Sequence, residues 1–200
     1  MVAQFSKITY LSGFIALLML VFLGQVYAAS EEEGHNLYRA GLYNEGLAVW
    51  EKAAKNGDAG AAFRAGVEYF DAKIVKRDIK KAIAYFELSA KGNDPRGLTD
   101  LAAIYDYGNG VNVNRKKAAQ LYLRAANLGF PDAMFNIAAM LSLGEGIKKD
   151  KIEAYKFYKM ANAQGFAAFA EAALAELEKD MSAEDIAEAN RRVSAFKPTN

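Results

Sequence analysis

An interval of 36 residues, kept by several residue types at once, is the strongest constraint on how this 200-residue chain can fold. Trp50, Phe86, Tyr122 and Tyr158 keep it. So do Gly46, Ala82, Ala118 and Ala154, and so do Ala53, Ser89, Ala125 and Ala161. Pro95 and Pro131 share it, and the phrase AANLGFPDA at 125–133 is echoed by AAKNGDAGA at 53–61 and ANAQGFAAF at 161–169. Independent residue classes holding one register mark stacked units, each too small to bury its own apolar surface and each hiding it against the next copy.

Each unit carries two helical patterns. In the second, the small residue, the aromatic and the next small residue sit at i, i+4 and i+7, one stripe of a helix. The first places Ala65, Leu101 and Ile137 in register, followed by Gly66, Ala102 and Ala138 and then by Tyr69, Tyr105 and Leu141. Asp78, Asn114 and Asp150 are expected N-caps of the second helices. Gly57, Gly92, Gly129 and Gly165 stand where those helices should stop, because a left-handed residue is cheap at glycine. The glycine pairs Gly108/Gly110 and Gly144/Gly146 invite a phosphate-cradle reading. They follow the end of a helix, however, where the dipole is negative and anions are disfavoured, so they are expected to be turns.

The string Tyr105-x-x-Gly108-x-Gly110-Val111, then Lys117-Ala118 with Tyr122 four residues on, then Ala125-Ala126-x-x-Gly129, resembles the Sel1-like repeat, a relative of the tetratricopeptide repeat. Leu98–Asp132 and Met134–Ala168 carry the pattern most fully. Ala62–Asp94 keeps Tyr69, Lys81, Ala82 and Phe86 but lacks both loop glycines, and the first unit has a shorter loop and is more similar to a tetratricopeptide unit. The resemblance implies an all-α, right-handed α/α solenoid. Its units are expected at about 31–58, 59–94, 95–130 and 131–166, with a C-terminal cap over 167–196. In the cap, Ser182 and Asp185 form a capping-box pattern, Glu184, Glu188, Arg191 and Arg192 can face solvent, and the terminal KPTN is expected to fray.

Composition narrows the chemistry. The 25 Lys+Arg and 24 Asp+Glu nearly cancel, which argues against a nucleic-acid footprint. With no Cys and a single His, His35, neither a thiolate metal site nor a Cys nucleophile is available, and no cofactor is expected. Lys7, the apolar run Phe14–Leu23 and the small residues of QVYAAS read as a secretory signal peptide over 1–28, cut after Ala28. The apolar run falls short of the ~20 residues a membrane span needs, although an uncleaved anchor is the competing reading. The expected product is periplasmic or secreted. It loses Lys7 and no acid, and so carries no net charge.

Four features could carry function. His35 follows Glu31-Glu32-Glu33 and has no evident partner. Ser194-x-x-Lys197 matches a nucleophile motif of penicillin-recognising enzymes but lacks its companion motifs. Lys80, Lys81, Lys116 and Lys117, with Lys76, Arg77, Arg115, Lys148 and Lys149 nearby, could make a basic ridge for an acidic partner or a membrane surface. The fourth is the face of the first helices left over once the buried stripe is subtracted. There Phe63, Phe70, Tyr107 and Phe135 are candidate anchors for a protein or peptide, with Thr99 beside them and Arg64, Asp100, Asp106 and Asn136 setting register. The resemblance implies a non-enzymatic scaffold or adaptor, since exported proteins of the Sel1-like class include regulators that restrain the sensor domain of a membrane histidine kinase. An envelope hydrolase or penicillin-binding-type enzyme and a membrane-tethered structural protein are the alternatives. N-terminal sequencing of the protein from cells should find Ala29 first; a chain beginning at Met1 would establish the anchor instead.

Overall fold

The computed structural model describes residues 30–199; the expected leader over 1–28 lies outside the described residues. All regular structure among the described residues is helical. Residues 30–39 form α1. They are followed by α2 (Tyr43–Lys55), α3 (Ala59–Asp71), α4 (Ile79–Lys91), α5 (Pro95–Tyr107), α6 (Arg115–Asn127), α7 (Pro131–Leu143), α8 (Lys151–Ala161), α9 (Ala167–Glu178) and α10 (Ala183–Ala195). Consecutive helices pair, and the pairs stack in chain order as an α/α solenoid. The first helices α3, α5 and α7 approach one another more closely than α4, α6 and α8 do, so they form the inner layer of the curve.

The 36-residue aromatic row is the spine of the stack. Trp50, Phe86, Tyr122 and Tyr158 are all buried. A Cβ added at Gly66 would lie 2.7 Å from the Phe86 ring, and one added at Gly34 would strike the Trp50 indole. The ring packs directly against bare helix backbone, where a larger residue would not fit. Gly34 precedes Trp50 by 16 residues and Gly66 precedes Phe86 by 20, so the first unit repeats the contact across a loop four residues shorter. The Trp50 indole also donates to the Glu31 carbonyl at 3.0 Å, which anchors α1. An enclosed ring of this size is worth about 3–5 kcal/mol against alanine.

The joints between units repeat as backbone geometry. Asp58 N–H donates to Ala53 O (3.1 Å), Asp94 to Ser89 (3.1 Å) and Phe130 to Ala125 (3.2 Å). Just before each, Gly57, Asn93 and Gly129 take positive φ of 97°, 62° and 91°. The left-handed residue of the second joint is therefore Asn93 rather than Gly92, whose φ is −80°. Asparagine is among the few side chains that tolerate this conformation. Gly92 is needed for room instead, since a Cβ there would sit 2.5 Å from that of Ala59.

Asp78, Asn114 and Asp150 cap α4, α6 and α8, accepting from Lys81, Lys117 and Glu153 N–H at 3.0, 3.0 and 2.9 Å. Their own N–H groups return to the carbonyls of Tyr69, Tyr105 and Leu141, closing each loop. The second glycine of each loop pair serves packing as well as turning. A Cβ on Gly110 would touch Ile79 at 2.5 Å, and one on Gly146 would strike the Arg115 backbone, so each loop rests on the start of the preceding unit's second helix.

The fourth joint departs from the pattern. Position 167 is Ala where the earlier units have Pro95 and Pro131, and the chain runs from α8 into α9 through a π-turn at Asn162–Phe166. Gln164 and Gly165 (φ 113°) break it locally. Helix α10 packs back on α8, with Arg192 on Glu153 (3.0 Å) and Lys159 on Asn190 (2.8 Å). Ser182 and Asp185 form the expected capping box. The terminal segment does not fray as expected. Thr199 N–H donates to the Asn127 carbonyl at 2.9 Å and Pro198 lies against Gly129, so the tail covers the α6–α7 joint.

Ala72 holds φ 58° at the end of α3, where the next units have Gly108 and Gly144. A left-handed alanine costs roughly 1–2 kcal/mol. Ala72→Gly should raise unfolding stability by about 1 kcal/mol in urea titration, and Gly129→Ala should lower it by about as much. No change in the first variant would mean that residue 72 is not left-handed in solution.

Candidate partner-binding groove

The inner layer presents one face of α3, α5, α7 and α9. Tyr107 and Leu143, 36 residues apart at the ends of α5 and α7, are 70% and 66% exposed, and Phe169 on α9 is 69% exposed. Tyr107 and Leu143 hold equivalent places in successive units and Phe169 lies near the opposite end of its helix, so large apolar side chains stand open on this layer and make it a candidate contact surface. Between α3 and α5 the face deepens into a cavity of about 260 Å³ lined by Val67, Phe70, Asp71, Phe86, Asp100, Ala103, Ile104 and Asn109. A second hollow of about 330 Å³ lies between α7 and α9, bordered by Ala139, Leu143, Tyr158, Ala173 and Leu177 among others.

The residues expected on this face fall into two groups. Phe70 and Asp100 line the cavity, Tyr107 stands open, and Asn136 lies half-buried on α7 with its amide on the Asp132 carbonyl (2.9 Å). Phe135 is also half-buried and belongs to an aromatic group. Its ring stacks on Phe166 at 5.6 Å and meets Tyr158 at 5.4 Å and Phe169 at 6.4 Å.

The other four are engaged within the chain. Thr99 is buried and donates its hydroxyl to the Pro95 carbonyl at 2.7 Å. Arg64 contacts the Glu31 carboxylate at 3.1 Å, and Arg96 reaches the same oxygen at 3.2 Å. Phe63 lies beneath both guanidiniums, 4.6 Å from Arg96 and 5.9 Å from Arg64. Asp106 pairs with Arg115 at 3.7 Å, and Arg115 also meets Glu145 at 3.5 Å. Glu31 thus closes the N-terminal end of the face from 33 and 65 residues away. No local pattern marks that role. Phe169 has no repeat signal either, because the positions in register with it are the small residues Ala61, Gly97 and Ala133.

The expected basic ridge is partly dismantled. Lys81 lies 4.6 Å over the Tyr69 ring, and Lys117 lies 3.9 Å over Tyr105 while donating to its hydroxyl at 2.7 Å. The repeated lysine is a packing element of each unit, and Lys80 and Lys116 remain exposed. Ser194 gives its hydroxyl to the Asn190 carbonyl of its own helix, while Lys197 lies on the extended tail beyond it. His35 is half-buried on α1, and among the described residues no group of three or more His, Cys, Asp or Glu is placed to hold a metal ion.

Asp100 is the electrostatic outlier. Burial, then the charges of Asp71, Asp132 and Asp94, push its carboxyl from 3.8 up to about 6. Asp106 is also raised by burial, against the pull of Arg115.

Such a repeat array, with an open, partly apolar inner face, defines a helical-repeat solenoid. The chain belongs to the Sel1 repeat family, whose model matches residues 59–94, 95–130 and 131–166. A Sel1 repeat protein from Oxalobacter formigenes is similar in structure at TM-score 0.60 and 30% identity, covering 65% of this chain and 97% of that one. A protective antigen present in uropathogenic Escherichia coli strains, with an SLR fold, matches at TM-score 0.51 and 16% identity. That match covers 85% of this chain and 45% of the antigen, and it speaks to the fold alone. No curated protein matches in sequence. Sel1 repeats commonly mediate protein–protein interaction, and the family is generally non-catalytic.

The raised Asp100 pKa sets a sign. The folded value lies above the unfolded one, so the native state binds the proton more tightly. Ionised Asp100 therefore costs stability above about pH 6, and the cost disappears as the pH falls toward 4. Asp100→Asn should raise the melting temperature at pH 7.5 by about 2–6 °C and leave it nearly unchanged at pH 4. A variant that melts lower at pH 7.5 would show that the carboxylate has a stabilising partner.

Proposed function

We propose that the protein is an exported, non-enzymatic adaptor that holds a protein or peptide on the inner face of its solenoid and in doing so restrains a cell-envelope signalling protein. The observation that carries the reading is the pair of open apolar side chains Tyr107 and Leu143, at equivalent ends of α5 and α7, on a face that also holds preformed cavities. Desolvating such side chains in a partner's pockets is the usual source of binding energy at an interface. The rigid stack needs little reordering to present them, which lowers the cost of association.

Export rests on the leader read from residues 1–28. No described helix is long and apolar enough to cross a membrane. A sensor domain exposed on the outer side of the inner membrane fits an adaptor in that compartment. The absence of a catalytic role is part of the same proposal: Asp100 stands among apolar walls without a nucleophile beside it, and the Ser194 hydroxyl is committed to its own helix.

Photo-reactive residues at positions 100, 107 and 143, introduced in living cells, should crosslink one common protein that mass spectrometry identifies. The same probe at the exposed positions Lys80 and Lys116 on the opposite layer should not. Capture confined to those two lysine positions would move the binding surface to the loop side and defeat the groove assignment.

A further inference from the structure

We infer that the cavity between α3 and α5 is a subsite for one cationic side chain, a lysine or arginine flanked by apolar residues, on the bound peptide; the inference rests on the groove reading above. The cavity is smaller than the roughly 300–1,000 Å³ sites that enclose small-molecule ligands, and its size suits a single long side chain. Its walls are Val67, Phe70, Phe86, Ala103 and Ile104, which would bury the aliphatic stem that lysine and arginine both carry. Its polar groups are two carboxylates, Asp71 from α3 and Asp100 from α5, with Asn109, and no lining residue is cationic.

The surrounding charges leave that anionic site uncompensated. Asp71 meets Lys73 at 3.3 Å, but both side chains are solvent-exposed at the rim, where such a pair is weak. The Asp94 charge is taken by Arg96 at 2.6 Å. Asp132, on the α7 side, adds further negative potential and has no ion-pair partner among the described residues. Arg77 lies 5.2 Å from the Phe70 ring centre but is not among the residues that line the cavity. Asp100 has no ion-pair or hydrogen-bond partner among the described residues, and its ionised form stands against apolar walls at a cost. A cation arriving with a ligand would recover part of that cost, which a neutral side chain of equal shape could not.

The hollow between α7 and α9 has a different character. Lys149 and Lys151 border it together with Glu176 and Asp180. Charge selection therefore belongs to the α3–α5 end and fixes the direction in which a peptide lies: its cation toward α3, its apolar residues toward Tyr107 and Leu143.

The test uses the protein as purified from the cell envelope, immobilised and offered two nonapeptide pools. The pools are random except at the centre, which is arginine in one and its neutral isostere citrulline in the other. At pH 7.5 the arginine pool should be retained roughly tenfold better, the scale of a charged hydrogen bond. The preference should fall toward parity at pH 5, and Asp100→Asn should bring retention of the arginine pool down to that of the citrulline pool at both pH values. Equal retention of the two pools by the unaltered protein, or a preference that survives Asp100→Asn, overturns the cationic subsite and leaves the groove reading standing. The groove reading itself fails if neither pool is retained, or if retention survives Ala103→Trp, which fills the cavity. Should Ala103→Trp not fold, the pair Tyr107→Ala with Leu143→Ala decides the same point.

Discussion

A flat ring seated on bare helix backbone is the contact from which the rest of this structure follows. Trp50 over Gly34 and Phe86 over Gly66 let two helices approach until the ring fills the space between them. The ring is broad, the facing residue must be small, and the helix that carries the ring must present a second small residue one turn away. These demands recur in every unit because a helix pair has too little interior to hide its ring alone. Stacking is thus a requirement of burial, and the 36-residue interval is its trace in the chain.

The ends of the array show what happens when that requirement meets solvent. At the N-terminal end α1 supplies the Glu31 carbonyl to the Trp50 indole and its carboxylate to Arg64 and Arg96, so polar contacts finish what another unit would have buried. At the other end α10 lies across α8 with a fringe of ion pairs, and the tail from Phe196 to Thr199 folds back over an earlier joint. The N-terminal closure reaches Arg96 at the start of α5 and the tail covers the α6–α7 joint, while Tyr107 and Leu143 at the far ends of α5 and α7 stay exposed.

Much of the architecture could be read from residue types. The aromatic row, the Asp78, Asn114 and Asp150 caps, the Ser182–Asp185 capping box and the helical boundaries are local or periodic signals, and local geometry or simple repetition enforces them. The candidate face was less legible. Of the residues left after the buried stripe is subtracted, Phe70 and Asp100 line a cavity and Tyr107 is exposed. The subtraction could not foresee that Arg64 would be taken by Glu31 and Asp106 by Arg115, partners at separations that have no period, and it took no account of the hydroxyl of Thr99 turning back to the Pro95 carbonyl one helical turn earlier.

The chain's own pattern determined that it is a stack of helix pairs, where the second helices of the units begin, and which ring fills each layer. These follow from hydrophobic periodicity and backbone capping, which act within one unit or between identical ones. Only the tertiary structure decided that Asn93 rather than Gly92 turns the second joint, that the lysines at 81 and 117 lie on tyrosines, and that two acids share one apolar cavity. The physical reason is common to all three. Steric room, ring faces and unscreened charge depend on which atoms meet across helices, and a repeat interval specifies which layers meet without specifying what each non-repeating side chain finds there.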